Sequence, residues 1–312
     1  MNKKAILLMG PTATGKTELA LKLSSQYPIE IISVDSALIY KDMNIGTAKP
    51  TLTELNIVQH HLIDIITPLM SYSVAQFLED TNSILRNILQ RGKIPVLVGG
   101  TMMYYNAIFN GISILPESNA EIRSLLEERA TAKGLSSLYR ELSDVDEVTA
   151  AKINVNDQQR IIRALEVYYI TKKPMSILQQ ETKVNLFNDI SFLPLAILPK
   201  SREVLHDRIN HRFDKMLKHG FIDEVIYLRS KYAGLTVNDT SMRSVGYNQV
   251  WQYLDGQIDF DQMVDRAKAA TRQLAKRQTT WLRSMNTINL ANNSFDLDTL
   301  YNELEQQVNL FV

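Results

Sequence analysis

An α/β fold, a parallel sheet flanked by helices and interrupted by an inserted all-helical domain, is what this amino-acid sequence predicts. Three observations lead to it. Four apolar runs have strand length and punctuated ends; the segments between the first three carry apolar residues at helical spacing; and the long stretch between the third and fourth shows helical spacing alone. The chain has 312 residues, 45% hydrophobic and 22% charged, ordinary proportions for a globular protein with a substantial core. It has no cysteine, which excludes disulfides, thiol nucleophiles and thiolate metal sites, and its formal net charge of zero gives no global pull toward nucleic acid.

The first run, Ala5–Met9, follows two lysines. Such a start resembles a secretion signal, but the glycine-rich loop immediately after it argues for a buried strand. Thr17–Gln26 then reads as a helix, Ile29–Val34 as the second strand, Val74–Gln90 as a helix and Ile94–Val98 as the third strand. Phe192–Leu198 is the fourth strand, and after Pro199 the pattern is helical through His206–Tyr232 and Gln262–Arg283. Glu117–Asn188 reads as consecutive amphipathic helices, bordered by the turn formers Leu115-Pro116-Glu117-Ser118-Asn119 and Asn185–Asp189. The expected division is therefore residues 1–116 with 189–312 as one domain and 117–188 as a helical insertion. No run approaches the roughly 18 consecutive apolar residues of a membrane helix, so a cytoplasmic protein without a membrane span is expected.

Gly10-Pro11-Thr12-Ala13-Thr14-Gly15-Lys16-Thr17 satisfies G-x-x-x-x-G-K-[ST] between a strand and a helix. Its glycines let backbone N–H groups converge on phosphate oxygens, Lys16 adds a point charge, and the Thr17 hydroxyl can ligate Mg²⁺. The sheet is thus expected to be P-loop NTPase-like, with a phosphorylated ligand at Gly10, Thr12, Ala13, Thr14, Gly15, Lys16 and Thr17. The motif does not say whether that ligand is a nucleotide or an organic diphosphate.

Asp35 closes the second strand at the sheet edge where such folds bind ligands. A metal-bound carboxylate, a general base and a helix N-cap before Ala37 and Leu38 are all compatible with that position. Val98-Gly99-Gly100-Thr101 ends the third strand with glycines that allow close backbone approach and a hydroxyl at the same edge. Arg266–Arg283 has six basic residues and no acid, with Arg272, Lys276 and Arg283 near one helical face; it suits phosphate-backbone contact or simply a solvated surface. None of the five histidines sits in a zinc-binding pattern, so no zinc is expected. From these motifs alone, a small-molecule kinase with Asp35 orienting an acceptor hydroxyl and a nucleotide-switched binding module both remain possible.

Further blocks narrow the choice. Ile32-Ser-Val-Asp-Ser-Ala-Leu-Ile-Tyr40, Asn44-Ile-Gly-Thr-Ala-Lys-Pro50, Asn156-Asp-Gln-Gln-Arg160, Arg163-Ala-Leu-Glu166, Ser244-Val-Gly-Tyr247 and Thr271-Arg-Gln-Leu-Ala-Lys-Arg-Gln278, with the phosphate loop and Val96–Thr101, resemble the bacterial tRNA dimethylallyltransferases. The resemblance implies transfer of a dimethylallyl group from its diphosphate to N6 of the adenosine 3′-adjacent to the anticodon (tRNA position 37), with Mg²⁺ assisting. It implies Asp35 as general base, Thr101 as a hydroxyl beside the reacting groups, and Arg212 as a second cation on the diphosphate. It also implies tRNA contacts at Ser36, Ala37, Leu38, Arg123, Gln159, Arg160, Arg163, Met242, Arg243, Gly246, Tyr247, Arg272, Lys276, Arg277 and Thr280. The anticodon stem-loop and dimethylallyl diphosphate are the expected partners, and the working form a monomer.

Overall fold

The four predicted strands all form, and they make the centre of one six-stranded sheet. The computed structural model describes residues 3–181, 183–199, 201–292 and 296–312. In chain order the elements are β1 (Lys4–Met9), α1 (Lys16–Ser24), β2 (Ile29–Val34), α2 (Leu52–Ile57), β3 (His60–His61), α3 (Val74–Gln90), β4 (Ile94–Gly99), α4 (Met102–Asn110), β5 (Ile112–Ser113), α5 (Ala120–Lys133), α6 (Leu135–Val145), α7 (Glu147–Ala150), α8 (Gln158–Thr171), α9 (Met175–Gln180), β6 (Lys183–Val184), β7 (Ser191–Pro199), α10 (Arg202–Lys218), α11 (Phe221–Lys231), α12 (Tyr247–Leu254), α13 (Phe260–Ser284), β8 (Ile288–Asn292) and α14 (Leu297–Phe311).

The sheet order is β3-β2-β4-β1-β7-β8, and every neighbouring pair is parallel. Covering both faces of a parallel sheet requires strands that are apolar throughout, which is why β1, β2 and β4 read as continuous runs. Glu30 and Ser33 are the polar exceptions in β2, and the buried Glu30 carboxylate is paired by His61, Arg91 and Lys93. The apolar runs do not reveal β3 or β8. These are the two edge strands, each with one neighbour, so neither needs a continuous apolar sequence. The helix expected over 206–232 is two helices, because Gly220 takes a left-handed backbone (φ 90°) that ends α10 and starts α11.

Contacts divide the chain into two compact units, Met1–Asn106 with Phe187–Val312, and Ala107–Leu186. In the first, Ile6, Leu8, Leu19, Leu23, Val96 and Leu195 form a core between the sheet, α1 and α14. A second core in the same unit gathers Phe213, Phe221, Met242, Tyr247 and Trp251 from α10 to α13. The second unit packs α5, α6 and α8 around Leu126, Leu138, Leu142, Ile161 and Leu165. It begins before the proline turn at 115–119, because the short ladder of β5 with β6 pairs Ile112 with Val184.

A fully buried carboxylate organises the second unit. Glu166 accepts from Ser118 Oγ at 2.6 Å, the Asn119 N–H at 2.8 Å, Arg163 at 2.8 Å and Arg123 at 3.1 Å. Burial alone would raise its pKa, but these donors overcome that and hold it at about 2. Being depressed, this carboxyl contributes stability above its ordinary value near 4.5, and that contribution is lost as pH falls toward 2. Glu166→Ala, which leaves two partly buried arginines unpaired, is expected to cost about 3 kcal/mol in urea unfolding at pH 7. A loss below about 1 kcal/mol would mean that the network carries little of the unit's stability.

Candidate active site

The phosphate loop leaves β1 and runs into the first turn of α1. Ala13 (φ 65°) and Gly15 (φ 88°) take left-handed backbone on either side of Thr14, a geometry that turns successive N–H groups to one side. Gly10 has no room for a side chain, since a Cβ would stand 2.8 Å from Thr14 Oγ1 and 3.3 Å from the Ile197 carbonyl oxygen. The Thr14 hydroxyl is buried and donates to the Pro11 carbonyl at 2.9 Å, so this residue offers an anion only its backbone. Lys16 Nζ donates to the same carbonyl at 2.7 Å. Burial, reinforced by the Arg212 charge and opposed by Asp35, lowers the Lys16 ammonium to about 7. Thr17 stands exposed at the start of α1.

Asp35 follows β2, and its Oδ1 accepts from the Ala37 N–H at 2.8 Å. The residues after it form a turn, not a helix, so the N-cap expected as one possibility is instead an Asx turn. The second carboxylate oxygen has no hydrogen-bond partner among the described residues. Thr101, after β4, accepts on Oγ1 from the Ser36 N–H at 3.1 Å. The glycine pair before it is filled by protein: a Cβ on Gly99 would lie 2.0 Å from the Val34 carbonyl oxygen, and one on Gly100 would lie 2.5 Å from Gln278 Nε2.

Gln278 is a site residue that the sequence does not single out. It is buried on α13, where its Oε1 accepts from the Thr12 N–H at 3.0 Å and its Nε2 donates to the Gly100 carbonyl at 2.8 Å. The available signal is a polar residue in register with Met263, Ala267, Ala275 and Leu282, the other buried positions of that helix.

Arg212 stands on α10, half-buried, and donates to the Thr47 carbonyl at 3.3 Å. Burial lowers its pKa and Asp35 opposes the shift. Two cavities meet at this side chain. The smaller, about 120 Å³, is lined by polar side chains that include Thr12, Asp35, Arg212 and Gln278 and by the apolar Ile209, Phe213, Met216, Phe221 and Leu274. The larger, about 560 Å³, opens over the phosphate loop and collects Lys49, Arg208, His211 and Lys215 beside Lys16 and Thr17. Arg208, Arg212 and Lys215 recur at helical spacing, so one face of α10 is cationic; that periodicity could have been read from the sequence. Arg208 donates from Nε to the Ala13 carbonyl at 2.8 Å.

The segment from Asn44 to Thr47 is held over the smaller cavity by Glu224 of α11. This buried carboxylate accepts from the N–H groups of Asn44 (2.8 Å), Ile45 (2.7 Å) and Gly46 (3.1 Å) and from the Tyr247 hydroxyl at 2.6 Å. Gly46 lies so close to Phe221 that a Cβ would approach its ring to 2.1 Å.

The residues implied as RNA contacts fall into distinct environments. Ser36, Gln159, Arg160, Arg243, Lys276, Arg277 and Thr280 are exposed, and Ala37 and Leu38 are half-buried. Arg272 donates to Asn210 at 2.9 Å, while Arg123 and Arg163 pair with Glu166. Met242 and Tyr247 are buried, and Tyr247 and Gly246 line the smaller cavity. Among the described residues, no group of three or more histidines, aspartates and glutamates could hold a metal ion by itself.

A parallel sheet with a phosphate loop, and a carboxylate facing that loop beside a partly apolar cavity, defines a P-loop protein equipped for group transfer. The sequence pattern of the IPP transferase family matches residues 38–285, and that of isopentenyl transferase matches residues 3–69. A tRNA dimethylallyltransferase of Chromobacterium violaceum is 53% identical over 285 residues, 91% of this chain and 87% of the relative. One from Legionella pneumophila is 53% identical over 91% of this chain and 90% of its own length. Among solved structures, the tRNA isopentenylpyrophosphate transferase of Bacillus halodurans superposes with a TM-score of 0.68 at 33% identity, covering 99% of this chain and 98% of the other. A eukaryotic dimethylallyltransferase acting on tRNA gives 0.80 at 28% identity, over 98% of this chain and 77% of that one. The chain belongs to the IPP transferase family.

Proposed function

We propose that this enzyme transfers the dimethylallyl group of dimethylallyl diphosphate to N6 of the adenosine at tRNA position 37, releasing diphosphate. The observation that carries the reading is the continuity of two environments. The cationic cavity over the phosphate loop suits a diphosphate, and the adjoining cavity of about 120 Å³, walled by Ile209, Phe213, Met216, Phe221 and Leu274, suits a short branched hydrocarbon. A kinase acceptor hydroxyl would leave those apolar walls without a purpose.

In this reading the phosphate-loop amides, Lys16 and Arg212 hold the diphosphate, and their charges stabilise it as the C1–O bond breaks and it departs with the electron pair. N6 of the adenine forms the new bond to C1 and sheds a proton, which the unengaged oxygen of Asp35 accepts. Thr101 fixes the Ser36 backbone beside that carboxylate. Mg²⁺ fits the donor set: it needs few protein ligands when phosphate oxygens and water complete its shell, and the exposed Thr17 hydroxyl would hold it, its charge offsetting that of the leaving diphosphate.

The same reading assigns the anticodon stem-loop to the exposed cations of α13 and to Gln159 and Arg160 of the helical unit. It makes that unit an RNA-contacting domain and the protein a cytoplasmic monomer. The described residues include no helix long and apolar enough to cross a membrane. The test is incubation with Mg²⁺, labelled dimethylallyl diphosphate and unmodified tRNA carrying A37, followed by nucleoside analysis. Label on N6-prenyladenosine is expected. ATP hydrolysis with no transfer to any tRNA would point to the kinase instead.

A further inference from the structure

The geometry points to Gln278 as a positioning residue that holds the leaving-group loop and the acceptor edge of the site in register. It spans the two with one side chain: Oε1 takes the Thr12 N–H of the phosphate loop at 3.0 Å, and Nε2 gives to the Gly100 carbonyl, one residue before Thr101, at 2.8 Å. Only one orientation of a side-chain amide satisfies both, because one partner is a donor and the other an acceptor. Both ends of the brace are engaged and buried, and Gly100 leaves it no slack, since any side chain there would collide with Nε2.

The loop that Gln278 grips carries the diphosphate in the prenyl-transfer reading, on which this inference rests, and the strand end that it grips carries Thr101, which in turn fixes Ser36 beside Asp35. The separation of leaving group and base is therefore set by a neutral side chain whose two hydrogen bonds go to the protein backbone. Its parent helix, α13, also presents the exposed cations Lys276 and Arg277, so a bound RNA and both halves of the reaction centre share one rigid reference. Misplacement of reacting groups by a fraction of an ångström lowers the rate of the chemical step far more than binding.

The test compares wild type, Gln278→Met and Gln278→Glu in steady-state prenylation of A37-containing tRNA across pH 5.5 to 8.5. Gln278→Met keeps the length and volume of the side chain but neither hydrogen bond. It is expected to lower kcat roughly 100-fold while KM for both substrates stays within about threefold. Gln278→Glu should be as poor at high pH, where a carboxylate opposes the Gly100 carbonyl. Its activity relative to wild type should recover as pH falls, because a protonated carboxyl can accept from Thr12 and donate to Gly100 as the amide does. A role in stability alone would leave kcat per folded enzyme, with the folded fraction read by circular dichroism at each pH, without that pH dependence, and this ratio decides even if Gln278→Met fails to fold. Active wild type with kcat preserved in Gln278→Met, or with a flat Gln278→Glu ratio, overturns the proposal alone. A wild type that transfers no prenyl group overturns the functional reading and this inference with it.

Discussion

Asp35→Asn is expected to lower kcat for prenyl transfer by roughly 10³-fold, the range of a positioned general base, with KM for either substrate changed by less than about threefold. The amide can still accept from the Ala37 N–H, so the turn after β2 survives and the loss is confined to proton acceptance. Single-turnover measurement with labelled diphosphate checks this without interference from product release. A loss of less than about tenfold would remove Asp35 from the chemistry and leave it as a turn former.

Lys16→Met is expected to lower kcat/KM by roughly 10²- to 10³-fold, because the lost charge acts on the diphosphate as it departs. A second signature separates charge from bulk. Without ligand, burial and Arg212 hold this ammonium at about 7, so at pH 8 it is mostly neutral. A diphosphate beside it would restore the charged form, and binding at pH 8 should take up close to one proton, against little at pH 6. Titration calorimetry in buffers of different ionisation enthalpy reads that uptake, and Lys16→Met should abolish it. The sign extends to stability. Between about 7 and 10.5 the unfolded chain holds the Lys16 proton that the folded one has lost, so the unliganded fold gains stability as pH rises through that window. Unchanged proton uptake in Lys16→Met would assign it to another group.

The sequence is most legible where a residue type is dictated by its own backbone. A strand covered on both faces has to be apolar, and a phosphate loop has to place glycine or a small residue at its left-handed positions, as Gly15 and Ala13 do. Edge strands escape that rule, so His60–His61 and Ile288–Asn292 do not stand out. Roles created by distant partners are equally hidden. Nothing near Glu224 in sequence announces that it will gather three N–H groups from residues 44–46, and Gln278 resembles any polar residue of a basic helix until Thr12 and Gly100 are found on either side of it. The Gly99-Gly100 pair is a related case. Its glycines signal close approach correctly, but what approaches is the backbone of β2 and the Gln278 amide, which only the tertiary structure supplies. Resemblance likewise marks Met242 and Tyr247, and only the tertiary structure shows that both side chains are buried.

The two-residue ladder of β5 with β6 bears on how the chain finds its fold. β1 must pair with β4 on one side and with β7 on the other, and all of Ala107–Leu186 intervenes between those two partners. An unstructured excursion of that length would make the β1–β7 pairing a slow, high-contact-order event. Once Ile112 and Ser113 are zipped to Val184 and Lys183, however, the excursion is closed at its neck. The entropy of bringing β7 to β1 is then that of the short connections outside the ladder, because loop closure depends on the free chain and not on residues already folded within it. If the helical unit folds first, only the short connections outside the ladder remain to be ordered when β7 joins β1.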